Sequence, residues 1–324
     1  MTSNARFSSC IGGGLIPAVP VPFRADGQID AAAQERYVEY MAAQPIAGVA
    51  VWAHTGRGLR LSGQQRNEVL RSWRSGLGKD KVIVAGVGGT SGGAADPSAY
   101  IDSAVAMAES ALQGGADAFL VHPPSALGKQ RVDQELISKH HERLASLRAP
   151  MIVFYLYEAA GGISYSVDLL RRIMSLPEVA GIKLATLDSV MTYQTVANLL
   201  NEEFPAKTLI TGEDRFLGYS LMCGAKAALI GMGSACTRLQ VNLLRSYFEK
   251  KSDEFLRLSE RVDRLSQVLF VPPMEGYVQR MLWTLVHLGV LAPESAHDPW
   301  GPDLPQEEFV NIGKTLRALG EIGN

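Results

Sequence analysis

Eight short apolar runs rich in β-branched residues, each followed by a longer stretch of helical period, constrain this chain more than any other feature. The runs are GLIPAVPVPF from Gly14, GVAVWAH from Gly48, KVIVAGVGG from Lys81, AFLVHPP from Ala118, MIVFYLY from Met151, VAGIKLA from Val179, KTLITGE from Lys207 and AALIGMG from Ala227. Amphipathic segments such as DAAAQERYVEYMAA and SVDLLRRIMSL lie between them and open at credible caps, Asp30 and Ser166. Alternation of this kind is the signature of a parallel sheet. Eight strand–helix units with no reversal or long gap predict an α/β fold closed as a (β/α)8 TIM barrel rather than an open doubly wound sheet, with reactive groups at the strands' C-terminal ends. Past the eighth run, 239–250, 253–268, 273–288 and 306–319 are helical in period. One of these closes the barrel. The expected division is a barrel with a short N-terminal extension over 1–250 and a C-terminal helical subdomain packed on it over 251–324.

Composition narrows the partners. The 31 basic and 33 acidic residues nearly cancel and form no long single-sign block, so neither a nucleic-acid nor a membrane surface is indicated and small molecules are the expected ligands. Cys10, Cys223 and Cys236 lack CxxC spacing, which points to a reducing compartment, by default the cytoplasm. The first dozen residues carry no apolar signal region, and no apolar stretch reaches the ~20 residues needed to span a bilayer.

One residue breaks the apolar pattern: Lys183, inside the run 179–185. Lysine is almost never fully buried unless paired. Alternation along a strand puts Val179, Gly181, Lys183 and Ala185 on one face, where small neighbours leave room for an amine. Lowering a lysine pKa from 10.4 toward 7 by burial costs about 4.6 kcal/mol, tolerated mostly where a neutral amine must attack a carbonyl. The alternative is an ammonium that snorkels out of the strand end or pairs with Asp188 or Glu213. In MIVFYLY the same alternation puts Tyr155 and Tyr157 together, opposite Phe154 and Leu156. If their face is the interior, two phenols stand near the mouth, able to shuttle protons or bind a carboxylate. Otherwise they fill space.

These residues resemble a known family. GIKLAT on the sixth strand, a tyrosine on the fifth, the opening PFRADGQID, HTGRG after the second strand and TGED after the seventh are similar to the dihydrodipicolinate synthase and N-acetylneuraminate lyase family of class I aldolases. The resemblance implies that Lys183 forms a Schiff base with pyruvate or another 2-oxo acid, and that Tyr155 moves protons. Counting from Pro150 puts Phe154 at the family's tyrosine position, whereas counting back from Gly162 or Lys183 gives Tyr155. Phe154 has no proton to give, so Tyr155 is preferred, with a bulge early in the strand as the implied cost. Thr55 and Gly56 would hold the 2-oxo acid carboxylate, and Leu229 falls where a backbone carbonyl would approach it. Tyr157, His54 and Ser125 complete the expected substrate-binding set. No cofactor or metal is expected, and a homo-oligomer, dimer or tetramer, is implied by the family.

Departures from the family concern the second substrate. Where its synthases carry GTTGE, this chain has Ala53, His54, Thr55, Gly56 and Arg57, so an imidazole replaces a relay hydroxyl and a guanidinium replaces an acid. Pro124 and Ser125 stand in place of a tyrosine pair, Ala160 in place of an arginine, and Ala185 and Thr186 follow the lysine where the lyases place a threonine two residues on. The 2-oxo acid half is therefore expected to persist, and the partner to be an aldehyde or hydroxy-oxo acid other than that of lysine biosynthesis. Two alternatives stay open: a phosphosugar enzyme using Gly231 and Gly233 as a phosphate cup, and a 2-oxo acid binder without turnover. A metal enzyme is disfavoured, because the six histidines form no HxH or HExxH pattern.

Overall fold

The structure is a computed structural model that describes residues 3–127, 133–187 and 189–323. Its strands are β1 (Leu15–Pro17), β2 (Gly48–Val51), β3 (Val82–Val87), β4 (Ala118–Val121), β5 (Met151–Leu156), β6 (Val179–Ala185), β7 (Thr208–Thr211) and β8 (Ala227–Ile230). All ladders are parallel and run β1-β8-β7-β6-β5-β4-β3-β2. The ring closes through a parallel bridge between Ala18 and Ala50, just beyond β1 and within β2. The fold is the TIM barrel that the alternation predicts.

The helices are α1 (Ser3–Ile11), α2 (Ala31–Ala42), α3 (Gly63–Gly76), α4 (Pro97–Gln113), α5 (Gln134–Ala145), α6 (Val167–Met174), α7 (Val190–Glu203), α8 (Leu217–Met222), α9 (Thr237–Phe248), α10 (Ser252–Leu269), α11 (Tyr277–His287) and α12 (Gln306–Ala318). Asp30 and Ser166 cap α2 and α6 as expected, each accepting from the backbone N–H three residues on. The alternation of β-strand side chains divides the apolar residues into two layers. The inner layer, with Ile152, Phe154, Leu120, Ile210 and Leu229, fills the barrel; the outer, with Met151, Val153, Tyr155, Ile182 and Leu184, packs under the helices. Phe7 and Ile11 of α1 join the inner layer, which makes the N-terminal extension a plug. Among the described residues no helix is long and apolar enough to cross a membrane.

The register of β5 against β6 departs from the expectation. Met151 faces Val179 but Ile152 faces Gly181, so the extra residue of the irregularity is Ala180, on β6. From there Phe154 pairs with Lys183 and Tyr155 with Leu184. The slip also resets the parity of β6: Val179 belongs to the outer layer and Ala180, Lys183 and Ala185 point inward. Val179 therefore does not share the face of Lys183.

Candidate active site

Lys183 sits near the C-terminal end of β6 with 6% of its surface exposed. Its Nζ lies 4.1 Å from the centroid of the Phe154 ring, close enough for a cation–π contact when the amine is charged. Gly212 makes the space, since a Cβ there would come within 2.6 Å of Lys183 Cε. Burial pushes the amine's pKa down, against the opposing pull of Asp214 and Glu213. No ion pair among the described residues engages it within 4.0 Å. Glu213 is occupied elsewhere: its carboxylate accepts from Thr186 N–H at 2.5 Å, Thr186 Oγ1 at 2.9 Å and Leu187 N–H at 2.9 Å, pinning the turn after β6. Asp188, the other acid considered for pairing, lies outside the described residues.

A chamber of about 30 Å³ surrounds the amine, lined among others by His54, Thr55, Tyr157, Asp214, Gly231 and Tyr277. His54, Leu156 and Ala160 also line a cleft of about 730 Å³ outside it, which Ser125, His122 and Arg60 border. Burial raises the Asp214 carboxyl, and its Oδ1 accepts the Met232 N–H at 2.7 Å. His122 donates Nε2–H to the Trp52 carbonyl at 3.1 Å; burial lowers its pKa to about 4 and keeps the ring neutral.

The far wall of the chamber is polar and comes from two distant segments. Tyr277, at the start of α11, places its hydroxyl 3.0 Å from His54 Nδ1 and 3.0 Å from Thr55 Oγ1. Its ring stacks on Phe270 at 5.0 Å. His54 turns its other nitrogen toward Glu275, Nε2 to Oε1 3.5 Å, and burial together with Arg57 drives its pKa down to about 3. Arg57 holds this wall in place: Nη2 donates to Asp298 at 2.6 Å and Nη1 to Glu275 at 2.6 Å. Those bonds occupy the guanidinium, so its first role is structural, not attraction of a substrate anion. Arg280, wholly buried, donates to Val271 O at 2.8 Å, Pro273 O at 3.2 Å and Glu308 at 2.6 Å, fixing the turn that leads into Tyr277.

The structure thus brings Lys183, His54, Thr55 and Tyr157 to one chamber and Ser125 to the adjoining cleft. Tyr155 is not among them. The expectation that it faces the interior is corrected: β5 alternates regularly, with Met151, Val153 and Tyr155 in the outer layer, and the Tyr155 ring packs against Tyr165, centroids 5.4 Å apart. Phe154 takes the inward place. Leu229 points into the barrel but lies outside the chamber lining, where Gly231 takes part instead. Gly56 lines neither space; a Cβ there would come within 2.9 Å of the Val19 carbonyl, so glycine allows two loops to pack. Gly231 serves close approach as well, with Thr55 Oγ1 and Tyr277 Cε2 both 3.2 Å from the Cβ it lacks. Sequence reasoning passed over Tyr277, His122 and Asp214. The segment VPPMEGY looks like an ordinary helix start, although Asp214 stands within the quoted TGED.

Comparison with known proteins agrees with this fold. The sequence model of the dihydrodipicolinate synthetase family matches residues 12–318. A 4-hydroxy-tetrahydrodipicolinate synthase of Prochlorococcus marinus (strain NATL2A) is 26% identical, the alignment covering 98% of this chain and all of that protein. Among solved structures, YagE of E. coli K12, a prophage protein of the dihydrodipicolinic acid synthase family in complex with pyruvate, superposes with a TM-score of 0.82 at 20% identity, over 95% of this chain and 98% of that one. The N-acetylneuraminate lyase of Mycoplasma synoviae gives 0.76 at 17% identity, over 96% and 98%. With a family match over nearly its whole length, the chain belongs to the dihydrodipicolinate synthetase family of class I aldolases and is a lyase.

Proposed function

We propose that this lyase forms a Schiff base through Lys183 with pyruvate or a related 2-oxo acid, and makes or breaks a carbon–carbon or carbon–oxygen bond next to it. The observation that carries the reading is a desolvated amine at the C-terminal end of a barrel strand, held by an aromatic face rather than a carboxylate and opening into a chamber. Removal from water disfavours the ammonium, and only the neutral amine can attack a keto carbon. That a relative, YagE, was solved with pyruvate supports the choice of 2-oxo acid. In this reading Thr55 receives the carboxylate in the chamber, while Tyr157 at the chamber wall and Ser125 in the outer cleft meet the second substrate.

The second substrate differs from that of the lysine-biosynthesis synthases. Ala160, which lines both spaces, offers no guanidinium, and β5 presents Phe154 where the relay phenol belongs. A different aldehyde or hydroxy-oxo acid fits better. Incubating the protein with pyruvate and borohydride, then mapping the modified peptide, tests the proposal. A reduced adduct on Lys183 that disappears in Lys183→Ala is expected. A folded wild type that never gains the adduct sinks it, and an adduct without turnover on any aldehyde in a panel would make the protein a 2-oxo acid binder instead.

A further inference from the structure

We propose that Tyr277 is the acid–base phenol of this enzyme, delivered to the amine's chamber by α11 and replacing a phenol that β5 does not supply; the proposal rests on the Schiff-base reading of Lys183. Imine chemistry needs a group that gives and takes protons beside the keto oxygen. On β5, Phe154 faces Lys183 and has nothing to give, and Tyr155 is turned outward. Two phenols remain in the chamber lining, Tyr157 and Tyr277. Of these, Tyr277 has its hydroxyl between two groups that can exchange protons with it, His54 Nδ1 and Thr55 Oγ1, each at 3.0 Å.

The chain of contacts continues to water. His54 Nε2 faces Glu275 Oε1 at 3.5 Å, and the Glu275 side chain is 43% exposed where it borders the outer cleft. A carboxylate accepts only, so Nε2 carries the imidazole proton and Nδ1 accepts from the phenol, whose oxygen in turn accepts from Thr55. Glu275, His54 and Tyr277 thus form a path from the cleft to the reacting atoms.

The steps balance as follows. The Nζ lone pair bonds to the keto carbon and the C=O π pair moves to oxygen, which takes the Tyr277 proton. The phenolate recovers one from the ammonium just formed, leaving a neutral carbinolamine. The nitrogen lone pair then expels the oxygen, which leaves as water with the Tyr277 proton, and one proton from solvent recharges the phenolate. One solvent proton is consumed for each iminium formed. No electrons are exchanged with any other reagent.

The test is the rate of borohydride-trappable adduct formation with pyruvate in wild type, Tyr277→Phe and Tyr277→Phe/Phe154→Tyr. Tyr277→Phe should still label Lys183 at long times but on the order of 10²-fold more slowly, with the half-saturating pyruvate concentration changed less than about threefold. Restoring a phenol opposite the amine by Phe154→Tyr should recover at least about tenfold of the loss, which a merely structural role for Tyr277 would not allow. Thr55→Val, which removes one bond to the same phenol, should also be slower if Tyr277→Phe does not fold. Tyr277→Phe at wild-type rate, or Thr55→Val at wild-type rate where Tyr277→Phe is unstable, overturns the proposal. Absence of any adduct in the wild type overturns the Schiff-base reading and this one with it.

Discussion

The two walls of the chamber are built on different principles. The strand wall, β5 and β6, holds one amine among apolar atoms: Phe154 beneath Nζ, Ala185 beside it, and Gly212 leaving room from the next strand. It tunes the amine by excluding water. The opposite wall, made by the loop after β2 and the entry to α11, carries hydrogen-bonded side chains, His54, Thr55 and Tyr277, from positions more than 200 residues apart. It is held by the Arg57 ion pairs to Asp298 and Glu275. One wall keeps an amine out of water, and the other gathers groups able to exchange protons. The contrast separates a residue fixed by the barrel's own ladder from a polar wall brought in by segments outside it.

Three experiments bear on that division. The largest effect is expected from Arg57→Ala, which strips a buried carboxylate, Asp298, of its partner. Breaking a buried pair costs about 3–5 kcal/mol, so the melting temperature should fall sharply and amide exchange should rise over 272–298, while Lys183 on β6 still forms adduct. Stability within about 1 kcal/mol of wild type would mean that the polar wall is held by other means. Second is pH. Because burial lowers the Lys183 pKa, its neutral fraction grows as pH rises and levels off above that value, about 8. Trapping should climb by up to tenfold per unit between pH 6 and about 8 and then flatten. A climb continuing to pH 10 would assign Lys183 to an ordinary solvated environment. The smallest effect belongs to Tyr155→Phe. Since the phenol faces Tyr165 and not the amine, trapping should change less than about threefold, or below roughly 0.7 kcal/mol. A loss as large as that expected for Tyr277→Phe would return the proton role to β5.

The strand wall was largely legible in the sequence. A charged residue inside an apolar run violates a strong burial rule, and that violation pointed to Lys183 without any structure. The eight-fold alternation likewise predicted the barrel. Tyr155 was misplaced because alternation tells which residues share a face, not which face is the interior, and β5 keeps Met151, Val153 and Tyr155 outside. Val179 was wrongly grouped with Lys183 because one extra residue flips every later side chain to the other face, and nothing in VAGIKLA distinguishes Ala180 as extra. A bulge was anticipated, but on β5, as the cost of bringing Tyr155 inward; it lies on β6, where it turns Lys183 inward and leaves the alternation of β5 unchanged. Tyr277 escaped for another reason. Its partners His54 and Thr55 are 223 and 222 residues away, and such contacts are set by how α11 docks rather than by any local pattern. Arg57 was noticed, yet its carboxylate partners lie 241 and 218 residues off, so its clamp role was equally invisible.

The segment 272–298, which carries Tyr277, takes no part in the ladders on either side of the amine's strand. If Tyr277 gives the proton as proposed, kinship judged from the GIKLAT strand alone would group together enzymes whose acids arrive by different routes. Chimaeras that graft this segment onto a related barrel offer a direct handle on which carbonyl partners the same lysine will accept.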